Sequence, residues 1–356
     1  MATITPEALL SGWRGRRFLL EYTAASDLPL AGAVMSAGHE LDPARDTTVV
    51  SFFGSGHREP EPRATPEAVA SLLAGLRLPA LDQGTALSML ADAVRAARYW
   101  QEPDGEDLLA ATPVVRAALE RPAAHVARSE TVDWWSAPLA REDQHAVTWD
   151  GRTLTTTATV AERLTWWRAE VVDEERRAQT DRPSDPTAPV SGTWWSAPPS
   201  DLTHTSRGLG PHGPVGLRLV EDDMGWERAV THRVEVPAGA RVLEVDAPEA
   251  WAALCREYPL EVTAQKRHDW YSTTGRVGRW VLPDWAAVAA EHDAVHLTAA
   301  AYLAAAGTAI PVDDDAASVI AGWNPDETYW FVDTVVPHGA GTEWVLDDED
   351  WVAAAV

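Results

Sequence analysis

The sequence predicts an α+β protein: a mostly helical N-terminal part with a hairpin, then a mixed small-sheet α+β part. Apolar residues recur at helical spacing between residues 65 and 130. Beyond residue 193, strand-like runs outnumber short helices and do not alternate with them as βαβ units would. Between these regions, Thr180 to Gly192 (TDRPSDPTAPVSG) sets three prolines among small polar residues without periodicity. That stretch predicts a linker over 181–192 joining a helix-rich domain, 1–180, to an α+β domain, 193–356.

Thr5-Pro6-Glu7 ahead of Ala8-Leu9-Leu10 opens a helix, with proline at the first helical position, where its missing N–H costs nothing. Thr47 to Phe53 (TTVVSFF) is β-branched and aromatic and predicts a strand, and Gly56 to Arg63 (GHREPEPR) an exposed loop. Thr65-Pro66-Glu67 repeats the helix start, and Leu87, Leu90, Ala91, Val94 and Ala97 share one helical face. Thr112-Pro113 opens another helix, which Pro122 bends or interrupts. Asp150-Gly151 lies between β-branched segments and predicts a hairpin. Val160 to Gln179 is one helix, with Val160, Leu164, Trp167 and Val171 three or four residues apart.

In the C-terminal part, strands are expected at Val215–Val220, Ala229–Val236, Arg241–Val245, Ala294–Leu297 and Thr328–Val336. Helices are expected at Glu249–Tyr258, Asp284–His292 and Ala299–Ala306.

A net charge of −25 repels phosphate backbones and anionic membranes, and no concentrated basic patch offsets it, so nucleic-acid binding is not expected. The acidic runs Asp313-Asp314-Asp315 and Asp347-Asp348-Glu349-Asp350 lack the alternating spacing of a calcium loop and read as solvated surface. Cys255 is the only cysteine, which excludes an intramolecular disulfide and a zinc site built on several thiolates. No leader-like N-terminus and no apolar run long enough to cross a membrane is present, so a cytoplasmic location is expected. Lys266 is the only lysine among 29 Lys and Arg residues, a bias that fits coding by the GC-rich genome of a bacterium.

The pentapeptide Trp-Trp-Ser-Ala-Pro occurs at 134–138 and 194–198, with a third pair, Trp166-Trp167, between. The sequences after the two copies differ, which argues against a duplicated domain. The 18 tryptophans pack the core or line a cleft where a planar ring stacks; spacing does not separate these readings.

Chemistry-bearing patterns are few. His292 and His296 are four apart, but a helix end falls between them, so they do not share a face. His204 and His212 lie in a Gly-rich stretch; Gly208-Leu209-Gly210 lacks the Lys-Ser/Thr of a phosphate loop. No Gly-x-Ser-x-Gly elbow exists, and Cys255 sits on an apolar helix face with Trp251 and Leu254.

One ordered set remains: Arg218, the hydroxyl run Tyr271-Ser272-Thr273-Thr274-Gly275, and Glu327 ahead of Thr328-Tyr329-Trp330-Phe331. Over residues 193 to 340 this order resembles the ADP-ribosyltransferase family, in which Arg or His, a Ser-Thr-Ser variant and Glu lie on successive strands. The resemblance implies NAD as cofactor and Glu327, Arg218 and Ser272 as catalytic residues. It further implies that Glu327 steadies the charge developing on the ribose, that Arg218 grips phosphates, and that Ser272 and Thr273 brace the site. Tyr271 or Trp270 would stack on nicotinamide, and Ser196, with Thr203 and Thr205 after it, is an equal occupant of the serine position. Two residues before Glu327, where many toxin-type members carry Glu or Gln, stands Pro325, which speaks against protein arginine as acceptor. The other reading is a non-enzymatic interaction or regulatory module with a Trp-rich core and a protein-partner surface.

Overall fold

The computed structural model describes residues 4–45, 63–150, 157–348 and 350–354. The strand expected over 47–53 and the second arm of the hairpin after Asp150 lie outside the described residues. The fold is α+β, with a helical N-terminal part and a sheet-containing C-terminal part.

The N-terminal layer holds α1 (Pro6–Ser11), α2 (Trp13–Ala24), α3 (Leu28–Leu41), α4 (Pro66–Gly75), α5 (Gln83–Arg95), α6 (Gly105–Ala111), α7 (Pro113–Ala118) and α8 (Glu120–Val126). Short side chains start them: Thr5, Asp27, Thr65, Asp82 and Asp104 each accept a backbone N–H three residues on, satisfying a donor the helix leaves unpaired. The expected break at Pro122 falls instead at Leu119; Pro122 sits in the first turn of α8, where its absent N–H has no helical partner to lose. α2 is the hub, burying Phe18, Leu19, Leu20 and Tyr22.

β1 (Gln144–Trp149) and α9 (Val160–Asp181) follow, the latter begun by a reciprocal Thr159–Glu162 capping box. Then come β2 (His204–Arg207), β3 (Arg228–Val234), β4 (Val242–Val245), α10 (Pro248–Glu257), β5 (Pro259–Glu261), α11 (Thr263–Thr274), β6 (Arg279–Pro283), α12 (Trp285–Glu291), β7 (Ala294–Leu297) and α13 (Ala299–Ala305). The chain ends in β8 (Ile310–Pro311), β9 (Ala316–Ser318), β10 (Glu327–Trp330), β11 (Pro337–Asp347) and β12 (Asp350–Ala353). The main sheet runs β12-β11-β3-β1-β2-β10-β7-β4, antiparallel except for β4 with β7; β5-β6-β9-β8 form a smaller one.

Several expected elements differ. Val215–Val220 is not a strand: Val215–Leu217 is a single 3-10 turn. Gly216 there presses on β2, its N–H donating to Ser206 Oγ at 2.9 Å, and a Cβ at 216 would sit 2.7 Å from that oxygen. The strand expected over 328–336 ends at Trp330, and residues 271–274 are not strand or turn but the last turn of α11, closed by Gly275 at φ 70°.

One hydrophobic core runs from Ile4 to Phe331 without dividing at 181–192. α1 and α2 pack on α13, so closely that a Cβ on Gly12 would lie 2.2 Å from Leu303 O. β1 sits centrally in the sheet between β2 and β3. Residues 181–192 are tied down by Arg182 donating to Gln265 O (2.6 Å), and by Ser191 Oγ (2.6 Å) and Gly192 N (3.0 Å) donating to Asp269.

The two Trp-Trp-Ser-Ala-Pro copies adopt different backbones, a 3-10 helix at Glu130–Ser136 and an irregular segment at 194–198, yet do a similar job. Each offers carbonyls to a buried basic side chain. In the first copy, Ala137 O (3.3 Å) and Pro138 O (3.0 Å) accept from Arg207, whose guanidinium lies 5.5 Å from the Trp134 ring. In the second, Trp195 O (2.9 Å), together with Thr193 O (2.7 Å) just before it, accepts from Lys266 Nζ. Trp194 O and Ser196 O also accept the indole N–H groups of Trp270 and Trp285. Trp135 meets Phe18 edge-on at 4.9 Å, and Trp251, Trp285 and Trp323 form a buried triad.

Candidate functional site

Pairing of β2 with β10 sets Glu327 opposite Ser206, Thr328 opposite Thr205 and Tyr329 opposite His204. Strand alternation then places Glu327, Tyr329, His204 and Ser206 on one face, with His145 of β1 beside Ser206. These five side chains line a cavity of about 250 Å³.

Glu327 is buried and well held. Asn324 N donates to Oε2 at 3.2 Å, Asn324 Nδ2 donates to Oε1 at 3.3 Å, and His204 Nδ1 lies 2.9 Å from Oε1. His204 Nδ1 makes no aligned hydrogen bond, so this last contact acts through charge. Burial pulls the imidazole pKa down, but the Glu327 charge outweighs it and holds His204 above its ordinary value. Tyr329 is pushed well up by burial and by Glu327, and remains a neutral phenol.

The loop before β10 passes through left-handed backbone twice, at Gly322 (φ 66°), which glycine adopts freely, and at Asp326 (φ 60°), which is strained there. A Cβ on Gly322 would lie 2.5 Å from Trp195 Cβ, so only glycine lets the second tryptophan segment approach. That approach is latched by Ser196 N donating to Ala321 O at 2.8 Å and Ala321 N donating to Ser196 Oγ at 3.0 Å. Asp326 is over-determined by charge: Arg207 Nε donates to Oδ1 at 2.6 Å, Arg207 N donates to Oδ2 at 3.1 Å, and His296 Nε2 lies 3.3 Å away. Nδ1 of His296 meets Glu244 at 2.5 Å; burial opposes its charge, yet the two carboxylates raise its pKa to about 9.

A second carboxyl enters from the loop after the 3-10 turn. Glu221 N donates to Asn324 Oδ1 at 2.8 Å, and Gly322 N donates to Glu221 Oε2 at 2.7 Å, while Oε1 has no aligned partner. Burial pushes Glu221 up to about 8; the Tyr302 hydroxyl, the Gly322 N–H and Arg14 pull against that, and Glu327 adds to it. At neutral pH the cavity therefore holds a protonated Glu221 near Glu327.

Trp149 and Trp226, stacked 4.8 Å apart at 12°, wall this cavity and also a neighbouring one of about 540 Å³. The second chamber reaches α5 at Leu87 and Asp92, and Arg218 lines it. Arg218 thus adjoins Glu327 through shared walls without touching it. Its fork is already engaged: Nε donates to Asp350 at 2.8 Å, NH2 to Trp351 O at 2.7 Å, and NH1 to His212 O. Arg218 lies at the end of the 3-10 turn, not in a strand.

The other expected residues stand elsewhere. Ser272 and Tyr271 lie near the end of α11 and line neither chamber. Thr273 donates to Gln101 O at 3.3 Å. Trp270 is fully buried, 5.2 Å from Trp280, with its N–H on Trp194 O at 2.7 Å. Ser196 braces the Ala321 loop and does not face the cavity. Trp270 and Thr273 are thus buried packing residues of α11, Tyr271 and Ser272 sit half-buried on its last turn, and Ser196 latches the Ala321 loop, so the expected hydroxyl positions do not converge with Glu327 on one cavity.

Glu221 and Asn324 were not singled out by sequence; His204 was weighed only with His212 in the Gly-rich stretch, and Tyr329 only as part of the strand after Glu327. The all-polar run His204-Thr205-Ser206-Arg207 carries no alternation to mark β2, and Glu221, heading an acidic run with Asp222 and Asp223, has no signal either. Cys255 is buried and pushed up to about 12 by burial, leaving an inert thiol. No family model, no curated protein and no solved structure matches this chain.

Proposed function

We propose that the Glu327 cavity breaks a glycosidic bond at the anomeric carbon of a ribose, with NAD as donor and nicotinamide as first product. The acceptor is water or another nucleophile. The observation that supports this reading is the pair of unlike carboxyls, Glu327 charge-paired with His204 and Glu221 held neutral, under the Trp149–Trp226 wall.

As the carbon–nitrogen bond breaks, its electron pair leaves with nicotinamide and positive charge develops on the sugar. Glu327, fixed by Asn324 before the substrate arrives, stabilises that charge without reorganising. Glu221, a neutral carboxyl held by the Gly322 N–H and the Tyr302 hydroxyl, adds no second negative charge beside Glu327. The incoming nucleophile passes its proton to Glu327.

The larger chamber sets a limit on this reading. Asp92, Asp223, Asp348 and Asp350 line it beside Arg95 and Arg218, and Arg218 meets a phosphate only by exchanging the exposed Asp350. Phosphates therefore contribute little binding energy. Nicotinamide riboside should be cleaved with kcat/KM within about tenfold of NAD, a gap under roughly 1.4 kcal/mol. Thermal melts with NAD, nicotinamide riboside and ADP-ribose, followed by nicotinamide detection, test this. A rise in melting temperature with release supports the reading; neither effect with any of the three removes it.

A further inference from the structure

We propose that Lys266 is an amine nucleophile that condenses with a small neutral aldehyde in the cavity between α9 and the second Trp-Trp-Ser-Ala-Pro segment. This cavity, about 120 Å³, is separate from the Glu327 site. Lys266 lines it, with Trp167 and Val171 of α9, Trp195, Ala197 and Leu282 around it. Trp195 is 45% exposed, so one wall opens to solvent. The volume is below that of drug-sized sites, which restricts the ligand to about one ring.

The amine is positioned before any ligand arrives. Nζ donates to Thr193 O at 2.7 Å and Trp195 O at 2.9 Å, and among the described residues no third acceptor bonds it. The face of the Trp270 ring lies 5.4 Å from Nζ; a buried ammonium would have only that weak partner for its third N–H, whereas a neutral amine leaves its lone pair unengaged there. Burial brings the Lys266 pKa down to about 7; Asp269 opposes this, Arg182 reinforces it, and Glu175 and Glu174 oppose it. A large share of the amine is thus nucleophilic at neutral pH, where an ordinary lysine is almost wholly protonated.

The step balances without a further reagent. The Nζ lone pair adds to the carbonyl carbon, and the carbinolamine loses water. A C=N bond forms, the C–O bond breaks, and water carries away the oxygen with the two amine hydrogens. Glu170 and Glu174 also line the cavity and disfavour an anionic aldehyde.

Full-length protein is incubated at neutral pH with benzaldehyde and cyanoborohydride, which fixes any imine, and the adducts are mapped by mass spectrometry. Because Lys266 is the only lysine, the α-amino group is the sole other primary amine. The expected result is benzyl transfer to Lys266 at least roughly tenfold faster than to the α-amino group, with glyoxylate slower than benzaldehyde. Equal rates, labelling of the α-amino group alone, or preference for glyoxylate would overturn the proposal. Lys266→Arg should abolish the adduct, and if that variant fails to fold the wild-type map decides alone.

Discussion

His204 Nδ1 lies 2.9 Å from Glu327 Oε1, joining one face of β2 to the same face of β10. The contact exists because these short strands pair in a register that sets His204 two positions along from the partner of Glu327. It makes the state of the imidazole a report on the carboxylate.

Glu327→Gln should lower the pKa of His204. Burial already pulls the imidazole down, and only the charge of Glu327 lifts it above its ordinary value. Imidazole resonances followed by NMR through the neutral range measure this. An unchanged titration would show that the two side chains do not interact in solution.

Glu221 should impose a pH dependence on stability. Its carboxyl holds a proton in the fold up to about pH 8, whereas the unfolded chain loses it near 4.5. Stability is therefore fully present below about 4.5 and falls as pH rises towards 8. Glu221→Gln removes this loss and should be the more stable protein at pH 8 by on the order of a few kcal/mol, with little difference in acid. Urea melts of both proteins across that window check it. Parallel curves would mean that Glu221 is ionised in the fold.

Gly322→Ala should cost about 1–3 kcal/mol. The new Cβ would sit 2.5 Å from Trp195 Cβ at a positive φ, and the loop cannot retreat without releasing Gly322 N from Glu221. Denaturant unfolding measures the loss, and an activity assay should fall with it. A neutral variant would mean that the tryptophan segment does not press on this loop.

What the sequence made legible was local. Thr5-Pro6 and Thr65-Pro66 start helices where expected, because capping is settled within four residues, and the helix expected from Val160 begins there. Glu327 was found at its place ahead of a strand. The site around it was not legible, because its members join through sheet pairing. His204 gains its role from β10, more than a hundred residues away, and Glu221 reads as one more surface acid until Gly322 and Asn324 enclose it. The hydroxyl run misled for a physical reason: short polar residues suit a strand end as well as a last helical turn, and Trp270 packing on Trp280 decides for the helix. The tryptophan repeats misled less; Trp134, Trp135 and Trp194 do pack in or against the core while Trp195 is half-exposed, but their backbone carbonyls, which no side-chain pattern reveals, hold Arg207 and Lys266.

Ser272→Ala should leave nicotinamide release within about twofold of wild type, since the residue lines neither chamber. Arg207→Leu, by contrast, strands Asp326 in the core beside His296 and should destabilise the fold by about 3–5 kcal/mol. Loss of activity in Ser272→Ala with unchanged stability would return the hydroxyl run to the site.

The most direct measurement is nicotinamide release from NAD by wild type and Glu327→Gln, at matched fold stability. The account predicts release by the wild type and a loss of about a hundredfold or more in the variant, because Asn324 holds the Glu327 side chain ready for the developing cation. Release at equal rates from both proteins, or none from the wild type, would contradict it.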